Sequence, residues 1–287
     1  MADGTLIFDT KLDSSGVESG VSALGGKLSG VMGTALKGTG VAIGAAVAGV
    51  SALTKSSLDA YADFEQLTGG VETLFKTSAD KVMQYADEAY KSAGLSANEY
   101  METVTSFSAS LLQGLGGDTD LAADVANQAI IDMSDNANKM GSDMASIQNA
   151  YQGFAKQNFT MLDNLKLGYG GTKEEMQRLL DDAEKLQKEK FGVDVEYDMN
   201  NFADVIQAIH TVQEEMDIAG TTSKEAATTI QGSLGMMKGA WQNLVTGLGD
   251  ENADLDGLID NFIQSVITVG ENIMPEIERI LVGIGEM

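Results

Sequence analysis

From about Leu58 onward, apolar residues recur at steps of three and four. Tyr100, Val104, Phe107 and Leu111 follow the capping pattern Ser96-x-x-Glu99, and Met144, Ile147, Tyr151 and Phe154 repeat the spacing. Phe202, Val205, Ile209, Val212 and Met216 make a third stripe. Ile230, Leu234, Met237, Trp241, Leu244 and Leu248 make a fourth, after the pattern Thr222-x-x-Glu225. Each stripe predicts a helix with one buried face. Glycines at Gly69-Gly70, Gly94, Gly116-Gly117, Gly141, Gly168 to Gly171, Gly192 and Gly220 predict the breaks between helices. Strand signals are confined to Thr5 to Phe8 and to the alternating run Phe191 to Tyr197, the latter read as an extended connector or a short strand. The fold expected is all-α: a multi-helix bundle with at most one or two short strands.

The two ends differ from this middle. Residues 1–57 combine the short strand, a capping pattern at Ser15-x-x-Glu18 and a helix interrupted by Gly20, Gly25, Gly26, Gly30, Gly33 and Gly38. Each glycine costs a helix interior about 1 kcal/mol against alanine, so this segment needs a packing partner to stay helical. Within it, Thr39 to Leu53 carries no charge and is rich in Gly, Ala and Val. It falls short of the ~20 residues of a comfortable bilayer span, and Gly40 and Gly44 have the small-xxx-small spacing that suits close helix pairing. Residues 251–287 open with an acidic linker and continue as an apolar helix from Leu258 to Ile273, expected to stop at Pro275. Three segments are therefore expected, 1–57, 58–250 and 251–287. The hydrophobic pattern is still running at the last residues, as in one part of a longer protein or a short relative of one.

Composition narrows the chemistry. Against 43 Asp and Glu stand 18 Lys and Arg, a formal charge of −25, which argues against tracking a nucleic-acid backbone. There is no Cys and one His, so thiolate nucleophiles, disulfides and Cys/His zinc sites are excluded. No basic n-region opens the chain, so no cleaved secretory leader is expected.

The remaining candidates read as structure. His210 lies on a predicted helix beside Ile209 and Val212, with no Ser or Asp placed by sequence to build a triad. The loop Gly168 to Lys173 has the order Gly-Thr-Lys, where a phosphate loop needs Gly-Lys-Ser/Thr after a strand, and Thr172-x-x-Glu175 reads as a helix cap. The pairs Asp181-Asp182 and Glu214-Glu215 are weighed as metal or glycosidase carboxylates and read as solvated helix faces. The 15 methionines, Met236-Met237 among them, are read as gap fillers in the core. The sequence reading assigns no catalytic, cofactor-binding or metal-binding residue.

The run DMSDNANKMGSDMASIQNAYQGFAKQNFTMLDNLKLGYGGTKEEMQRLL, Asp132 to Leu180, resembles the core region of phage tail tape measure proteins from phages and prophages of Gram-positive bacteria. The stretches LTGGVETLF, Leu67 to Phe75, and Tyr85 to Asp120 look like the same family in the same order, so the resemblance covers roughly Ala60 to Leu248, about two thirds of the chain. It implies a helical, non-enzymatic assembly protein that occupies the tail tube, helps set tail length and leaves ahead of the DNA. The partners implied are further copies of itself, the tail tube, the tail tip or baseplate and tail assembly chaperones. The implied locations are the virion and, during assembly, the host cytoplasm. Family members are usually much longer, which puts the ruler role of this chain in question. A second expectation is a membrane-active, pore-forming protein that inserts residues 39–53.

Overall fold

The computed structural model describes residues 22–23, 26–27 and 50–285. The expected strand at Thr5 to Phe8, the cap at Ser15, most of the glycine-rich helix and residues 39–49 of the 39–53 segment lie outside them. The described elements are α1 (Val50–Phe75), α2 (Ala79–Ser92), α3 (Ala97–Gly114), α4 (Thr119–Met140), α5 (Met144–Phe154), α6 (Lys173–Phe191), α7 (Phe202–Glu215), α8 (Thr221–Thr228), α9 (Ile230–Gly247) and α10 (Leu255–Gly285), with short 3-10 turns at Lys76–Ser78 and Leu162–Leu165. The fold is an all-α bundle. Among the described residues no helix is long and apolar enough to cross a membrane.

Local chemistry sets most boundaries. Ser96 and Glu99 form a complete capping box at the start of α3: the Glu99 amide donates to Ser96 Oγ, and the Ser96 amide donates to the Glu99 carboxylate at 2.9 Å. Asp118, Thr172, Asn201 and Thr229 cap α4, α6, α7 and α9 in the simpler way, with one side-chain oxygen accepting first-turn amides. Gly141 and Gly192 close α4 and α6 in the left-handed region, at φ 60° and 66°.

Three expectations need correction, and one open alternative is resolved. Helix α1 runs unbroken through Gly69-Gly70, because its following turns bury Val71 and Phe75 completely and Gly70 lies against Thr105 of α3. Packing outweighs the propensity loss there. The run after Gly192, read as an extended connector or a short strand, is the connector: it is irregular and tied to α6, with the Val193 amide on the Gln187 carbonyl and the Tyr197 amide on Glu184. Helix α10 continues through Pro275, which removes one ladder donor without ending the helix. Helix α8 starts one residue before Thr222, with Gly220 at φ 76° in the cap position, so the Thr222-x-x-Glu225 box does not form.

Helix α4 is central. It touches α1, α2, α3, α5, α7 and α8, and its Ala122, Ala126, Ala129, Ile130 and Met133 are fully buried. One apolar core runs from Val71 to Ile218 and takes in the predicted stripes of α3, α5 and α7 except Met216, which follows the last turn of α7 and is 40% exposed. A smaller cluster, Leu244 and Leu248 with Ile259 and Ile263, joins α9 to α10. The α9 stripe is only partly inward: Ile230, Leu234 and Trp241 are exposed, and the buried face is made of Ser233, Gly239, Ala240, Leu244 and Val245.

Candidate functional site

The chemically distinctive region lies on α4, where the sequence DMSDNANKM places polar side chains in the interior. Asp132, Asp135 and Asn136 are all 0% exposed. A buried polar group without a partner costs about 1–3 kcal/mol, and a buried charge considerably more, so each of these needs a specific contact.

Each finds one on a different element. The Asp132 carboxylate meets His210 Nδ1 of α7 at 2.9 and 3.1 Å and accepts Gln128 Nε2 at 3.0 Å. Ser134 Oγ donates to the Ala93 carbonyl beyond α2 at 2.6 Å. Asp135 accepts the backbone amides of Gly220 at 2.5 Å and Thr222 at 2.7 Å, and Asn136 Nδ2 donates to the Leu165 carbonyl at 2.9 Å. On the adjoining turn, Asn138 Nδ2 donates to Glu225 of α8 at 2.9 Å. One turn and a half of α4 thereby fastens the end of α2, a 3-10 turn, α7 and the start of α8.

The His210–Asp132 pair is the one acid–base constellation of this network. Burial disfavours charge on His210, but the Asp132 hydrogen bond and charge outweigh it, and the imidazole is held above its ordinary value. Burial pushes the Asp132 carboxyl up, with His210 opposing. The pair therefore holds a proton more tightly than its members would in water. The outer nitrogen, Nε2, faces Glu214 at 3.5 Å. A nucleophile triad would need a hydroxyl or thiol there. Near Asp132, the Tyr151 hydroxyl is buried without a hydrogen-bond partner among the described residues, and burial raises it well above the usual phenol value.

The other sequence candidates separate. Asp181 accepts Gln177 at 2.9 Å on the surface of α6, whereas Asp182 accepts the Tyr169 hydroxyl at 3.1 Å and pairs with Lys185. Glu214 turns to His210 and Glu215 to Lys190. The two acidic pairs stay apart, and among the described residues no group of three His, Asp or Glu is placed to hold a metal ion. The Gly168 to Lys173 loop is closed on itself. Glu175 takes the Gly170 amide at 3.0 Å, Arg178 donates to the Gly168 carbonyl at 2.8 Å and stacks over the Tyr169 ring, and burial lifts the Tyr169 phenol to about 12. A methyl group on Gly171 would meet the Thr160 carbonyl oxygen at 2.3 Å, so the chain passes there by close backbone approach. Met236 and Met237 are half-buried on α9.

Asp132 and Asp135 were not singled out by motif, although their spacing carried a signal: charges at i and i+3 on the buried face of an otherwise apolar helix. The chain matches no protein-family model, no curated protein and no solved structure.

Proposed function

We propose that this chain is a structural assembly protein of the phage tail tape measure type. The observation that carries the reading is the extended resemblance from Ala60 to Leu248, whose span contains the whole main core from Val71 to Ile218. A resemblance that coincides with one packed unit is harder to obtain by chance than one scattered over unrelated helices. The polar network on α4 fits a scaffold role, since its hydrogen bonds hold helices together and point inward.

In this role the bundle is the compact part of a protein that lies in the tail tube with further copies of itself. It contacts the tube, the tail tip or baseplate and the assembly chaperones. Any length-setting is done by extended helix, at ~1.5 Å per residue, or ~430 Å at most if all of this chain were so extended. Deleting the gene and imaging the particles by negative stain tests the proposal. Tailless heads or tails of uncontrolled length are expected, and normal tails would overturn it. An in-frame insertion of helical residues that leaves tail length unchanged would remove the ruler function while leaving the assembly role.

A further inference from the structure

Helices α9 and α10 share an apolar cluster of their own, separate from the main core. Helix α10 packs chiefly on α9, so the pair meets the rest of the bundle through α9. That contact is thin in apolar area. Toward α1 and α2 the helix presents Gly239, against Tyr90 Cβ and the Leu95 backbone, with Ala240 and Val245 beside it. Cavities of about 520 and 360 Å³ flank the contact.

Polar groups at the same contact are poorly matched. Of the eight buried side-chain atoms that lack a hydrogen-bond partner among the described residues, four lie here: Ser57 Oγ of α1, Tyr90 Oη of α2, Asn98 Oδ1 of α3 and Gln242 Oε1 of α9. Each goes without water while α9 is docked and recovers it when α9 leaves. Asp63, Glu99 and Glu102 line one cavity and Asp87, Asp250 and Asp254 the other, with no Lys, Arg or His beside them. Among the described residues, the polar links from α9 to α1, α2 and α3 are the Ala97 amide on Asn243 Oδ1 at 2.8 Å and the surface pair Lys238–Glu99 at 3.5 Å.

We infer that the α9–α10 hairpin is a salt-sensitive flap, which undocks from α1, α2 and α3 as one unit while those helices and α4 to α8 stay folded. The pivot is Thr229, in extended conformation between α8 and α9 at φ −121° and ψ 154°. Helix α8 stays behind because Ser134, Asp135 and Asn138 of α4 hold it. Docking brings Asp250 and Asp254 of the hairpin to the cavity wall that carries Asp87, so like charges oppose closure and screening favours it.

Trp241, the chain's single tryptophan, lies on α9 in the wall of the larger cavity and reports docking. Urea titrations of the full chain at about 20 mM NaCl, where screening is weak, follow its emission alongside far-ultraviolet circular dichroism. The emission should change at lower urea than the main dichroism transition, with most of the helical signal surviving that first step. Asn243→Ala should lower the emission midpoint by about 0.5 M urea and Asp87→Asn should raise it by about 0.3 M, both leaving the main dichroism transition in place. Raising the salt to about 0.5 M should shrink the Asp87→Asn shift at least twofold. Glu72→Gln, which removes the same charge from an exposed position of α1, should leave the emission midpoint unmoved. Coincident transitions by the two probes overturn the flap. Equal shifts from Asp87→Asn and Glu72→Gln, or an Asp87→Asn shift indifferent to salt, overturn its control by the facing carboxylates.

Discussion

The Asp135 carboxylate accepts the Thr222 amide at 2.7 Å across 87 residues of chain. With the Gly220 amide on its other oxygen, this side chain of α4 caps the N-terminus of α8, whose own cap residue is a glycine with no side chain to offer. The negative charge also sits at the positive end of the α8 dipole. A tertiary contact thereby replaces a local one.

Asp135→Ala is expected to destabilise the protein by about 2–4 kcal/mol, since it leaves two donors that depend on one buried carboxylate. Urea unfolding measures the loss. Hydrogen exchange should show the Gly220 and Thr222 amides opening first, and a stability within about 0.5 kcal/mol of wild type would refute the capping role.

The pH dependence of stability follows from His210 and Asp132. Both groups bind a proton more tightly in the folded chain than in the unfolded one: His210 lies above its ordinary value of 6.5 and Asp132 above 3.8. Groups with raised folded values stabilise most below their unfolded values and lose that stabilisation as pH rises through the folded ones. Asp132 contributes from its unfolded value of 3.8 up to its raised folded value, and His210 from 6.5 up to its own. The charges facing the imidazole are Asp132 and Asp135 of α4 and Glu214 of α7. Wild type should therefore lose about 1–2 kcal/mol between pH 6 and pH 9 that His210→Gln does not lose, a size typical of a hydrogen bond to a charged group. Parallel pH profiles for the two proteins in urea titrations would contradict the shift.

Much of the fold was legible because the apolar spacing of α3, α5 and α7 coincides with their buried faces and because capping side chains sit next to the turns they start. The inward face of α9, Leu244 apart, was not. It is lined by Gly239, Ala240 and Gly247, which hydropathy ranks low, and it is buried because backbones approach closely: a methyl on Gly239 would meet Tyr90 Cβ at 2.9 Å and the Leu95 backbone at 3.2 Å. Trp241, one of the predicted α9 stripe, is 36% exposed and packs its ring near Phe262 of α10. The α4 network was hidden for another reason. Apart from Gln128, the partners of Asp132 and Asp135 lie 78 to 87 residues away, beyond any local pattern.

Two buried tyrosines offer a contrast. Tyr100 donates to Asn127 at 3.1 Å, whereas the Tyr151 hydroxyl has no partner among the described residues. Tyr100→Phe should cost about 1 kcal/mol, the usual net worth of a hydrogen bond, and Tyr151→Phe should be neutral or stabilising by about 1 kcal/mol. Thermal denaturation of the pair decides it. A Tyr151→Phe loss as large as that of Tyr100→Phe would show that the Tyr151 hydroxyl is satisfied.

Glycine substitutions test whether α1 is continuous and whether α9 is held by close approach. Gly69 lies inside α1, and a methyl group built on it meets nothing within 4 Å. Gly69→Ala should therefore stabilise the protein by about 0.5–1 kcal/mol, through helix propensity and the smaller entropy of the unfolded chain. Gly239 is also helical, so propensity alone would favour alanine there by the same amount. Its methyl would strike Tyr90 Cβ and the Leu95 backbone, which are held by the junction of α2 and α3 and cannot swing aside like the end of a long side chain. Overpacking of this kind costs about 1–3 kcal/mol, enough to reverse the propensity gain. The two variants should thus move the urea midpoint in opposite directions. A destabilising Gly69→Ala would mean that the chain bends at Gly69-Gly70 after all, and a stabilising Gly239→Ala would mean that α9 stands farther from α2 than the Gly239–Tyr90 contact requires.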